Sequence, residues 1–141
     1  AMVDSPLTTL WEGWGIGKEG FGGGSYNHAW SGGPLTILSS YMAGVKVVEP
    51  GFKVFSICPN LGNLSHVKVT VPLAGGRFIE ADVKKDGERC VLELAVPEGT
   101  AGLVGLPDGY TQMRVNGKPA EAGMVLKTGV WKIEFGNLPD K

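Results

Sequence analysis

The chain has 141 residues, enough for one ordinary domain and too few for a complete large enzyme. Thirteen Lys and Arg against fourteen Asp and Glu leave a net charge of -1, which excludes the broad basic field that would hold nucleic acid or an anionic membrane. Glycine is the outlier: 23 residues, about twice the usual share, in a chain whose 43% hydrophobic content can still build a core.

The opening stretch, AMVDSPLTTLW, lacks the charged and apolar regions of a signal peptide. Ala1, with or without Met2, reads as a cloning remnant and the chain as an excised piece, so localisation stays open. No apolar run approaches the roughly 18 residues needed to span a bilayer, so no membrane partner is expected. Gly13, Gly15, Gly17, Gly20, Gly22, Gly23 and Gly24 mark residues 13–24 as a flexible loop. Ser31-Gly32-Gly33-Pro34 then opens a helix, because proline in the first turn lacks only an N–H that would have had no helical partner. Leu35, Leu38, Met42 and Val45 follow at helical spacing, and Ile37 and Tyr41 widen the stripe, so a helix over Pro34–Val45 should have partners on more than one face.

After residue 51 the period becomes two. Val67, Val69 and Val71 alternate with His66, Lys68 and Thr70, and Ile79, Ala81 and Val83 alternate with Glu80, Asp82 and Lys84. Cys90, Leu92, Leu94 and Val96 continue the pattern, as do Trp131, Ile133 and Phe135. Asp86-Gly87 and Asn116-Gly117 are dipeptides favoured in tight hairpins, and Gly75-Gly76 and Thr128-Gly129 suit further reversals. The strands read as 52–58, 65–72, 77–85, 88–96, 101–105, 110–116, 124–127 and 130–136. The expected fold is therefore mainly β: an antiparallel β-sandwich of about eight strands preceded by one α-helix and a Gly-rich loop. Composition divides it into residues 1–48, the final piece of a neighbouring domain, and residues 49–141, the sandwich. Cys58 and Cys90 read as core thiols, since their spacing suits neither a redox pair nor a paired zinc site.

The densest cluster of chemistry is Trp11-Glu12-Gly13-Trp14 with Tyr26-Asn27-His28-Ala29-Trp30. Trp faces stack on sugar rings, while Glu, Asn and His supply hydrogen bonds and proton transfer, so the cluster suits a carbohydrate site. It equally suits a structural role, with the Trp residues as core anchors and Glu12 as a solvated or capping carboxylate. His66 alternates outward on a strand with no metal-ligand spacing around it, and no metal or other cofactor is expected. The glycines meet a dinucleotide fingerprint only loosely at Gly15, Gly17 and Gly20, with no strand before them.

Thr9-Leu10-Trp11-Glu12-Gly13-Trp14, Ser25-Tyr26-Asn27-His28-Ala29-Trp30, Gly33-Pro34, Leu38-Ser39-Ser40-Tyr41, Gly44-Val45, Glu49-Pro50-Gly51-Phe52-Lys53 and Pro59-Asn60-Leu61-Gly62 occur in this order. Together they resemble the C-terminal end of bacterial α-L-rhamnosidases of glycoside hydrolase family 78. Residues 65–141 resemble that family only in character, as its closing β-sandwich. The resemblance implies an (α/α)6 catalytic barrel ending within residues 1–48, and hydrolysis with inversion. It implies Glu12 as the general base, with His28, Trp11 and Asn27 lining the rhamnose pocket. The family's general acid lies in an upstream acidic motif, Asp-x-x-Trp followed by Glu or Asp and later Asp-x-Arg, which does not occur in these residues.

The implied partners are a rhamnose-containing glycoside and the rest of the barrel, and the isolated chain is expected to be inactive. A non-catalytic carbohydrate-binding sandwich is the alternative, weakened by the scarcity of outward aromatics apart from Phe78, and a lid that binds nothing is a third. The wide apolar stripe of the helix also suggests a homodimer.

Overall fold

The computed structural model describes residues 4, 6–7, 9–13, 16 and 24–137; most of the expected glycine loop and Trp14 lie outside them. The chain forms two compact units, Ala1–Ile37 and Leu38–Lys141. The first contains a 3-10 turn, Ala29–Gly32, running into a short α-helix, α1, Gly33–Ile37. The second opens with a wide π-type turn, Leu38–Met42, in which Ala43 N–H reaches back five residues to the Leu38 carbonyl at 3.0 Å.

The helical run therefore stops at Met42, short of the expected Val45. Gly44 decides this. It takes φ +77°, and its α-carbon lies so close to the next strand that a Cβ would meet the Cys58 carbonyl oxygen at 2.0 Å. The chain turns there, and Val45 becomes the buried first residue of strand β1 (Val45–Val47). Its spacing fits the helical stripe, but it is extended because it pairs with Ile57.

Ten strands occur among the described residues, two more than expected, and they form two sheets. The remaining strands are β2 (Val54–Ile57), β3 (His66–Leu73), β4 (Arg77–Asp86), β5 (Arg89–Val96), β6 (Ala101–Val104), β7 (Gln112–Val115), β8 (Lys118–Ala120), β9 (Met124–Leu126) and β10 (Gly129–Gly136). The smaller sheet has the order β1-β2-β6-β9 and the larger β3-β4-β5-β10-β7-β8. The larger is antiparallel throughout. The smaller departs from expectation at one pair: β2 and β6 run parallel, with Phe55 opposite Gly102 and Ile57 opposite Val104. The whole β3-β4-β5 meander, laid in the other sheet, separates these two strands in sequence and returns the chain in its original direction.

The alternation predicted from sequence is the core. Ile79, Ala81 and Val83 of β4, Cys90, Leu92, Leu94 and Val96 of β5, and Ile133 and Phe135 of β10 are buried against Phe55, Ile57, Val104 and Leu126 of the smaller sheet. Trp131 is half-buried at the core edge and donates its indole N–H to the Lys127 carbonyl at 2.8 Å. Two tight hairpins differ in an instructive way. Asn116-Gly117 takes positive φ at both positions, as the primed turn between β7 and β8 requires. At the β4–β5 hairpin Asp86 still pairs with Arg89, so the central residues are Gly87 and Glu88 rather than Asp86 and Gly87. Positive φ is needed only at Gly87 there.

The cysteines are both free, and only Cys90 is the core thiol expected. Cys58 is exposed because it follows β2, whose inward positions are Phe55 and Ile57, and the next residue points outward. His66 is exposed, as expected, with Nε2 at 2.9 Å from Asp82.

Candidate functional site

In the first unit two short stretches, residues 10–12 and 25–28, are tied backbone to backbone. Glu12 N–H donates to the Ser25 carbonyl at 3.0 Å and His28 N–H to the Leu10 carbonyl at 2.9 Å. These bonds bring Glu12 and His28 together across a sequence gap that contains the glycine-rich residues 13–24. Ser25 N–H then donates to Glu12 Oε2 at 2.7 Å, and His28 Nδ1 lies 3.3 Å from the same oxygen. The Glu12 carboxylate is thus tied down and partly shielded: its side chain is 31% exposed and that of His28 30%.

Ser25 was not among the residues picked from sequence, and it is the hub of the site. Its hydroxyl is 2.9 Å from His28 Nδ1 and donates to the Asn27 carbonyl at 3.2 Å. With the hydroxyl proton directed at Asn27, a proton on Nδ1 suits both oxygens that approach that nitrogen. Ser25 and Glu12 meet the same ring nitrogen. A serine nucleophile with a histidine base needs serine and carboxylate on opposite nitrogens, so this geometry does not form a hydrolase triad. It fixes a carboxylate instead. The sequence signal for Ser25 is its place as the first residue with a side chain after the glycine run, where its N–H is free to turn toward Glu12.

Trp11 packs edge-on against Tyr26, with ring centroids 5.0 Å apart, and its carbonyl accepts a hydrogen bond from Ser31 Oγ at 2.6 Å. Thr9 Oγ1 donates to the Tyr26 carbonyl. The Trp11 indole Nε1 is buried without a hydrogen-bond partner among the described residues, which is costly unless a bound group accepts from it. Trp30 tilts against the His28 ring at 4.2 Å between centroids yet stays 69% exposed. Leu10, Trp11, Glu12, Trp30, Pro34 and Leu35 line an open cleft of about 460 Å³. The structure therefore brings Glu12, His28 and Trp11 into one constellation. Asn27 joins it only through its backbone carbonyl, and its residue is exposed. Among the described residues no three His, Cys, Asp or Glu side chains group as metal ligands.

Residues 44–121 match the model of the bacterial alpha-L-rhamnosidase C-terminal domain. The chain belongs to that family. The match takes in β1 to β8, so it rests on the sandwich; Trp11, Glu12, Asn27 and His28 all precede it. Among solved structures, the chain is similar to the alpha-L-rhamnosidase of Dictyoglumus thermophilum, with TM-score 0.72 and 22% identity over 96% of this chain and 17% of that one. It is similar to the Streptomyces avermitilis alpha-L-rhamnosidase complexed with L-rhamnose, with TM-score 0.67 and 24% identity over 94% of this chain and 14% of that one. A third similarity, to the native enzyme of Aspergillus terreus, has TM-score 0.59 and 22% identity over 79% of this chain and 12% of that one. At these identities the likeness is one of fold, and the rhamnosidase C-terminal domain described here spans less than a fifth of each of the three chains. Comparison with curated protein sequences returns no match.

Proposed function

We propose that the chain is the C-terminal portion of an inverting α-L-rhamnosidase, a glycoside hydrolase that removes terminal α-L-rhamnose from glycosides. In this reading residues 1–48 are the end of the (α/α)6 catalytic barrel and residues 49–141 are the sandwich that caps it. The observation that carries the reading is the Glu12 carboxylate, held by Ser25 N–H beside His28 at the edge of a tryptophan-lined cleft.

Glu12 acts as general base, taking a proton from the water that attacks the anomeric carbon. A second carboxyl protonates the departing oxygen from the other side, and inversion requires roughly 6.5 to 9.5 Å between the two so that the water fits. That acid comes from a part of the enzyme outside residues 1–141. His28 and Asn27 hold sugar hydroxyls, and the Trp11 and Trp30 side chains line the cleft beside them. Two carboxyl groups suffice for this chemistry, and no cofactor enters it. Trp30, Leu35 and Tyr41, between 62% and 69% exposed, belong to the faces that the rest of the barrel covers; in the isolated chain a second copy covers them, giving a homodimer.

The test is an aryl α-L-rhamnoside assay. The isolated chain shows no turnover, since it has the base without the acid. In the intact enzyme Glu12→Gln lowers kcat by about 10²- to 10⁴-fold, and NMR of the first product detects the inverted anomer. Turnover by the isolated chain that Glu12→Gln abolishes, or a product of retained configuration, would overturn the reading.

A further inference from the structure

The outer face of the larger sheet, in the second unit, holds an open cleft lined by charged side chains. The chain has three arginines, Arg77, Arg89 and Arg114. Arg77 is engaged in holding a turn, donating to the carbonyls of Ala74 at 3.1 Å and Glu98 at 2.6 Å. The other two line one open cleft of about 210 Å³ together with Gln112 and Glu134.

The register explains the cleft. Strand β10 lies between β5 and β7, and Gly136 sits opposite Arg89 on one side and Gln112 on the other. With no side chain on Gly136, the outer face has a notch between two flanking strands, which sheet geometry places about 9–10 Å apart. Two pairs further along, on the same face, Glu134 sits opposite Arg114. The charges around the notch are only partly paired. Glu134 is engaged by Lys132 Nζ at 3.2 Å, whereas neither Arg89 nor Arg114 forms an ion pair among the described residues. Arg114 spends one N–H on the Gly117 carbonyl at 3.3 Å. Two exposed guanidinium groups thus border a glycine floor; with Asp86 opposite Arg89 and Glu134 paired to Lys132, three cations face two carboxylates around it.

We infer that this notch binds a monoanionic carboxylate through Arg89 and Arg114. Guanidinium forks match a planar carboxylate in bidentate fashion. The neighbouring Glu134 carboxylate disfavours a dianion, which selects a carboxylate over a phosphate. The volume admits a group no larger than about one sugar ring, well below the usual 300–1,000 Å³ of drug-sized pockets. The carboxylate belongs either to a small free acid or to an acidic sugar at the end of a glycan, and the two sources share the same contacts.

The experiment is an NMR titration of the full chain in low-salt buffer, using sodium acetate, sodium glucuronate, methyl glucoside and inorganic phosphate as separate probes. The expected result is saturable shifts of the Gly117 and Gly136 amides and the Arg89 and Arg114 Nε–H signals with acetate or glucuronate, and none with methyl glucoside. Tighter binding of glucuronate identifies the sugar acid as the source, and equal binding identifies the free carboxylate. Arg89→Ala and Arg114→Ala each weaken binding roughly tenfold, the loss of one charge-assisted hydrogen-bonded contact. Arg89→Lys, which keeps the charge and removes the fork, weakens it too and serves as the check should an alanine variant misfold. Absence of saturable shifts at these residues, shifts that survive both alanine variants, equal binding of methyl glucoside, or tighter binding of phosphate overturns the assignment.

Discussion

Gly44 shows how one backbone contact can override a side-chain pattern. The φ of +77° is strained for any residue with a Cβ, and the 2.0 Å approach to the Cys58 carbonyl leaves no space for one. Both elements involved are pinned, since Cys58 N–H donates to the Gly44 carbonyl at 3.2 Å and Asn60 N–H to Met42 at 2.9 Å. Gly44→Ala is therefore expected to destabilise the sandwich by about 3 kcal/mol or more, read as a lower urea midpoint. An unchanged midpoint would show that the close approach is not maintained. The thiols give a second expectation. Burial pushes Cys90 up from the ordinary thiol value, opposed by the Tyr110 hydrogen bond and Lys85; at Cys58, an exposed residue whose thiol is partly desolvated, the desolvation and Asp108 raise the value while Lys46 opposes them. Burial, then Cys90, raises the Tyr110 phenol. The folded state holds these protons more tightly than the unfolded chain does. Their contribution is complete below the ordinary thiol range and is lost as pH rises through the folded values. Urea midpoints should be level from about pH 7 to 8 and fall above about 8.5, with a shallower fall in Cys90→Ala. Equal slopes in the two proteins would remove Cys90 from the explanation.

The hairpins test how far turn chemistry alone sets register. Asn116 and Gly117 both occupy positive φ, so Gly117→Ala costs roughly 1–2 kcal/mol through strain at one position. Glu88, outside that region, should tolerate alanine within about 0.5 kcal/mol. Thermal melts of the two variants separate these outcomes, and equal losses would contradict the assignment of the central residues. The same elements show what could be read from sequence. Period-two runs such as Ile79-Glu80-Ala81-Asp82-Val83 have a single physical solution, one face in the core and one in water, and the structure buries the residues they point to. β1 did not stand out because Val45 also satisfies the helical spacing, and β8 because Lys118-Pro119-Ala120 carries no run of apolar side chains. Of the candidate site, Glu12, His28 and Trp11 were legible as chemistry-bearing types. Ser25 was marked only by its place after the glycine run, because the bond that holds Glu12 comes from a main-chain N–H, which every residue but proline possesses.

At the level of the whole chain, the two units differ in what stabilises them. Buried apolar side chains from both sheets of the sandwich make one core, whereas the buried apolar residue described in the first unit is Ile16. A chain of residues 38–141 should therefore fold by itself and melt cooperatively, with a midpoint close to that of the full chain; a broad, non-cooperative transition would show that the first unit is needed. Alternation by itself determined the sandwich, because burial of one strand face is a local property written in every second residue. The parallel pairing of β2 with β6, the end of the helix at Gly44, the Glu12–Ser25–His28 cluster and the notch over Gly136 were decided only by tertiary structure. Each depends on residues far apart in sequence meeting through backbone atoms or through a missing side chain, and neither leaves a periodic mark in the sequence.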